Sequence, residues 1–137
     1  MKALITKVTV GLLVIVTLVS AANATQTAAR FAEILRSKMA DPSYGLCAHF
    51  CKPSLLKIVR KNQTEIDLDP VCQCQGMDTG YTVASVLLGT GGTYRAHFMM
   101  RGYPNSVWTL VLKPSGATWK IADVIDAKGT SLMATYH

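Results

Sequence analysis

Residues 81–125 read YTVASVLLGTGGTYRAHFMMRGYPNSVWTLVLKPSGATWKIADVI. Four stretches within them, Tyr81–Leu88, Thr93–Arg101, Ser106–Lys113 and Thr118–Ile125, are rich in Val, Thr, Tyr, Phe and Trp. They have the period of two that suits strands. Gly89–Gly92, Gly102–Asn105 and Pro114–Gly116 separate them. Connections that short join only antiparallel neighbours, so a four-stranded meander is expected.

The period differs upstream. Phe31, Ile34, Leu35 and Met39 recur at helical spacing within Thr25–Ala40, and Asp41-Pro42-Ser43 closes that helix, because a proline disfavours helical geometry just before it. A second helix is expected from Pro53 to Gln63, with proline in its first turn. Its Leu55, Leu56 and Val59 face inward, while Lys57, Arg60 and Lys61 form a solvated opposite face. Three cations are too few for a phosphate track, which argues against nucleic acid as a partner. Residues 65–78 read as irregular, with Asp69-Pro70 as a turn, and 129–131 read as the cap of a short final helix over 132–136. Helices first and strands later define an α+β domain with its helices packed on one face of a curved sheet.

The N-terminus carries an address. Lys2 and Lys7 precede an uncharged, Val-, Leu- and Ile-rich run over 8–22, and Ala22-Asn23-Ala24 follows. Basic start, short apolar core and A-x-A end make a secretory signal peptide over 1–24, and the core is short of the ~20 residues of a membrane span. The whole chain has 137 residues, 50 % hydrophobic and 16 % charged, with net charge +6. Cleavage after Ala24 leaves one domain over 25–137, of 113 residues and net charge +4, in the periplasm or outside the cell. This composition excludes a disordered chain and several membrane spans.

All four cysteines, Cys47, Cys51, Cys72 and Cys74, fall in that domain. In an exported protein an even number of cysteines implies disulfides. Four residues apart, Cys47 and Cys51 would share a face if they lay on a helix, and Cys72 and Cys74, two apart, would share one on an extended segment. Two bridges joining the segments are therefore expected, each closing a loop of roughly 20–30 residues and stabilising by ~2–4 kcal/mol. A metal cluster of these thiolates with His49 is the competing reading, and C-x-C is too tight for the common zinc pattern. No metal and no cofactor is expected, and no C-x-x-C-H is present for haem.

Several of these features resemble a known group. Phe50-Cys51-Lys52-Pro53-Ser54-Leu55 opens the second helix, Asp69-Pro70 is followed by Gln75, and the meander ends in Trp119-Lys120-Ile121-Ala122-Asp123-Val124. Over most of residues 28–135 the chain resembles an uncharacterised family of small bacterial periplasmic proteins and lipoproteins. That family carries a domain of unknown function and is grouped with the nuclear transport factor 2-like (cystatin-like) superfamily. The Asp69-Pro70…Gln75 element is the more particular match, and Gly76 stands where family members often have an acidic residue. The resemblance implies a cone-like α+β fold with a concave sheet and a pocket, and a homodimer formed through the sheet. It implies no reaction, since that fold serves binding, scaffolding and several chemistries.

Catalytic motifs are wanting. Ser54-Leu55-Leu56-Lys57 matches S-x-x-K without its S-D-N and K-T-G companions, and Gly89–Gly92 lacks the helix and lysine of a phosphate loop. The strand Tyr94–Arg101 is the most suggestive segment. Tyr94, Ala96, Phe98 and Met100 lie on one face, and Arg95, His97, Met99 and Arg101 lie on the other. Trp108 and Trp119 read as core. On a concave surface Arg95, His97 and Arg101 suit an anionic ligand or the acidic patch of a protein; on an open face the arginines are solubilising charges. Copper held by His97 with Met99 and Met100 lacks a Met-rich repeat.

The expected function is that of an exported, non-enzymatic binding module with a small ligand or a protein partner at Arg95, His97 and Arg101. One alternative is a periplasmic inhibitor or immunity protein that blocks a toxic cell-wall-degrading enzyme. Another is a small hydrolase using His97, which requires an acidic partner, and Asp123 is the only strand candidate.

Overall fold

The computed structural model describes residues 23–41, 45–66, 69–73 and 80–136. The run of residues 1–22 on which the signal peptide rests lies outside them, as do Pro42, Ser43, Cys74, Gln75 and Gly76. The chain is α+β, with helices followed by a four-stranded antiparallel sheet. No helix among the described residues is long and apolar enough to cross a membrane.

Helix α1 occupies 23–39. Its buried stripe is Ala28, Phe31, Ala32, Leu35 and Met39, spaced by three, one, three and four residues. Ile34, expected inside, is 49 % exposed, because it lies about 120° around the helix from the centre of that stripe. Thr25 and Tyr94 share a hydroxyl hydrogen bond of 3.1 Å, and Trp119 Nε1 donates to Thr27 Oγ1 at 3.3 Å. These contacts tie the start of α1 to the sheet, and a chain beginning at Thr25 keeps both.

Helix α2, Leu46–Phe50, was not expected from the sequence. Gly45 takes the left-handed conformation at its N-cap and supplies no side chain, so the usual sequence signal is missing. The Asp69 carboxylate replaces it from a distance: Oδ2 accepts from Cys47 N at 3.3 Å and Oδ1 from Val71 N at 3.0 Å. Helix α3, Pro53–Lys61, begins with proline at its first position, buries Leu55 and exposes Lys57, Arg60 and Lys61 as expected.

The disulfide expectation is corrected here. Cys47 is bonded to Cys51 within α2 and its C-cap, across a Cα–Cα distance of 4.7 Å, rather than to the Cys72–Cys74 segment. The i,i+4 spacing that places both on one face also brings them within bonding range. Cys72 is disulfide-bonded as well. These sulfurs are therefore not thiolates available to a metal, and among the described residues no cluster of His, Cys, Asp and Glu could hold one.

The sheet runs β1 Tyr81–Leu88, β2 Tyr94–Met100, β3 Val107–Ser115 and β4 Thr118–Ile125, in that order and antiparallel throughout. Strand β3 continues through Pro114 and Ser115, where a turn was expected. Its pairing with β2 ends at Leu112, so Pro114 needs no donor on that side. Gly116, at φ 60, then opens a two-residue hairpin, as a type II′ turn requires. Bulges interrupt β1 between Val83 and Ser85, and the β3–β4 ladder between Val111 and Leu112.

The core lies between α1–α3 and one face of the sheet. Ala96, Phe98, Leu110, Leu112 and Ile121 are fully buried there. Phe98 stacks on Trp108 at 6.0 Å, and Tyr94 meets Trp119 edge-on at 5.4 Å, so both tryptophans are core as expected. Trp108 Nε1 donates to Val71 O at 2.9 Å and holds the 69–73 turn over the same face. Helix α4, Leu132–Thr135, closes the chain, capped by Ser131 Oγ accepting from Ala134 N.

Candidate functional site

Strand β2 is central, so its alternation is written into both faces of the sheet. Tyr94, Ala96 and Phe98 are buried beneath the helices, while Arg95 is exposed and His97 and Met99 are half-buried on the opposite side. Register extends that second face across the strands. Arg95 lies between Leu87 and Val111, His97 between Ser85 and Thr109, and Met99 between Thr82 and Val107. Beyond them, Thr109 faces Ile125 and Val111 faces Asp123.

His97 is anchored. Its Nδ1 lies 2.8 Å from Thr109 Oγ1, and Thr109, 9 % exposed, is the buried polar residue of the sheet. Thr109 was not among the expected site residues. Its alternation with Val107 and Val111 marked its face, but only the strand register shows that it stands opposite His97.

Arg101 is not brought to the same place. It sits in the turn after β2, where its amide donates to Gly80 O at 3.0 Å. Its guanidinium covers Gly80: a Cβ there would lie 3.6 Å from Arg101 Nε. Arg95 and Arg101 are thus about 20 Å apart along the strand, whereas Arg95 and His97 are about 7 Å apart. One small ligand cannot bridge the two arginines, and the three expected residues split into a pair and an outlier.

Asp123, the carboxylate a His97-dependent hydrolase would need, is used elsewhere. Oδ2 accepts from Ser131 Oγ at 2.5 Å, and Oδ1 accepts from Val124 N at 2.8 Å and Met133 N at 3.1 Å. These bonds fold the end of the chain back onto β4, and β3 separates Asp123 from β2. Asp123 is also the single carboxylate in residues 81–125, against Arg95, Arg101, Lys113 and Lys120.

Two clefts lie away from Arg95 and His97. The first, about 240 Å³, is lined by Glu65, Gln73, Asp126 and Tyr136 around Ile66 and Leu132. Partial burial, and after it the hydrogen bond and charge of Glu65, push the Tyr136 phenol above the usual tyrosine range. Asp126 Oδ1 accepts from Lys128 N and Thr130 N, both at 2.9 Å, so that carboxylate shapes its own turn. The second cleft, about 470 Å³, lies between α2 and α3, with Cys47, Leu56 and Val59 inside and Arg60 at its margin. Neither cleft includes Arg95, His97 or Arg101.

Comparison of the chain with family models, with curated proteins and with solved structures gives no match.

Proposed function

We propose that this protein is an exported, non-enzymatic binding domain that holds an acidic region of a protein partner against the uncovered face of its sheet, centred on Arg95, His97 and Thr109. The observation that carries this reading is the face itself. It is broad, lies opposite the helices, and mixes apolar positions (Met99, Val107, Val111, Ile125) with the exposed Arg95 and Lys113. The face carries one carboxylate of the four strands, Asp123 at the β4 edge, hydrogen-bonded to the 131–133 segment, against the cations Arg95 and Lys113. Apolar centre and charged margin suit a protein surface, and electrostatic complementarity calls for an acidic one. A small ligand fits less well, because Arg101 is too far from Arg95 to share it.

An inhibitor or immunity protein is the form of this reading in which the partner is a cell-wall-degrading enzyme. The small disulfide-bonded domain and the apolar run at the N-terminus support export. Helices packed on one side of a four-stranded meander support the nuclear transport factor 2-like cone as the superfamily fold.

The test is site-specific photo-crosslinking in the producing cells, with the reactive residue at Val111 on the uncovered face or at Ile34 on the outside of α1. The expected result is one protein captured from Val111 and lost on Arg95→Glu. Capture from Ile34 alone, or capture from Val111 that ignores Arg95→Glu, overturns the proposal.

A further inference from the structure

The larger cleft, about 470 Å³, draws its walls from within residues 45–70. Among the described residues none of the lining comes from the sheet, so it is separate both from the uncovered face and from the concave pocket of a cone-like fold. Its volume falls in the range of roughly 300–1,000 Å³ in which small molecules are held. The interior is apolar. Cys47 enters it as half of a disulfide, beside Leu56, Val59, Ile66 and Pro70, and Leu56 and Val59 back onto the core.

Two charged residues line the cleft, Arg60 and Asp69, and they differ in what they have left to give. Both oxygens of Asp69 are taken, by Cys47 N and Val71 N. Arg60 is exposed and, among the described residues, makes no ion pair and no side-chain hydrogen bond. Leu56, Val59 and Arg60 stand at i, i+3 and i+4 on α3, so the guanidinium rises from the same face as the two apolar side chains. The sequence groups Arg60 with Lys57 and Lys61 as one solvated face, yet of the three only Arg60 lines the cleft.

We propose that this cleft binds a medium-chain fatty acid, with its alkyl chain over Leu56, Val59, Ile66 and Pro70 and its carboxylate on the Arg60 guanidinium. An apolar chain ended by one anion matches an apolar trough with one uncommitted cation at its margin. Arginine suits the head group, because its planar fork donates two parallel N–H bonds to a carboxylate. A cationic amphiphile of the same length meets repulsion from Arg60, and a neutral alcohol leaves the guanidinium without a counter-charge.

Isothermal titration of decanoate, below its micelle concentration, into the full, disulfide-bonded protein tests this. One molecule should bind per chain, and along hexanoate, octanoate and decanoate each added methylene should tighten binding about fourfold. Arg60→Gln should weaken decanoate about tenfold or more and leave decanol unchanged, while Lys57→Gln on the solvated face should alter neither. Both positions are exposed, and circular dichroism checks the fold of each variant. Amide chemical shifts of the wild type give an answer that needs no variant: decanoate should move Val59 and Ile66 and not Arg95. Absence of saturable binding, an affinity indifferent to chain length, decanol bound as tightly as decanoate, an equal loss in both variants, or shifts confined to Arg95 would each overturn the proposal.

Discussion

The two faces of the sheet are made by the same alternation and end in opposite states. On one, Ala96, Phe98, Leu110 and Ile121 have lost all contact with water beneath α1–α3 and the 69–73 turn. On the other, Arg95, Met99, Val111 and Ile125 stay partly or fully accessible, with the His97–Thr109 hydrogen bond at the centre. Burial of the first face stabilises the fold at about 25 cal/mol per Å² of apolar surface. The second contributes less of that kind, so substitutions there should cost less stability. Among the described residues the helices cover one side of the sheet and leave the other accessible.

Mutations that separate the faces should therefore separate stability from binding. The largest effect belongs to the covered face. Phe98→Ala removes a fully buried ring stacked on Trp108 and should cost about 3–5 kcal/mol, read as a drop in the denaturation midpoint. A loss under about 1 kcal/mol would mean that this face is not the core.

Replacing both Cys47 and Cys51 by serine should cost about 2 kcal/mol, because a bridge across four residues removes little freedom from the unfolded chain. The same experiment on a bridge between the two cysteine segments would cost more. A loss well above 3 kcal/mol would therefore favour the long-range pairing over the local one. Smaller again is Thr109→Val, which keeps the shape of the side chain and deletes the hydroxyl at His97. It should cost about 1 kcal/mol, measured by denaturant titration, and a neutral outcome would show that the hydrogen bond does not order the open face.

Much of this architecture is legible in the sequence, and the exceptions share a physical cause. Strands β1 and β4 run over the residues that period two selects, because glycine-containing turns bound them on both sides. The uncapped α2 is not legible: a five-residue helix has too short a pattern, and its cap is a carboxylate 22 residues away from Cys47. The disulfide was misread for a related reason. Facial proximity of Cys47 and Cys51 follows from spacing, but whether they bond to each other or together reach another segment depends on where that segment packs.

The candidate site divides in the same way. That Arg95 and His97 share a face follows from alternation alone. That Thr109 meets His97, and that Asp123 is held by Ser131, depends on register set by two hairpins and by the chain's return along β4. Arg101 shares the parity of Arg95, but it sits in the turn beside Gly80 at the far end of the strand.

A partner-binding surface on the open face of the sheet, and not on the helical side, makes a prediction that charge reversals can separate. The most direct measurement is the dissociation constant of the partner captured at Val111, for the wild type and for two charge reversals on opposite sides of the molecule. Arg95→Glu should weaken binding tenfold or more, while Lys57→Glu, exposed on α3, should leave it unchanged, with both variants as stable as the wild type. Weakening by Lys57→Glu with no effect of Arg95→Glu would contradict the account.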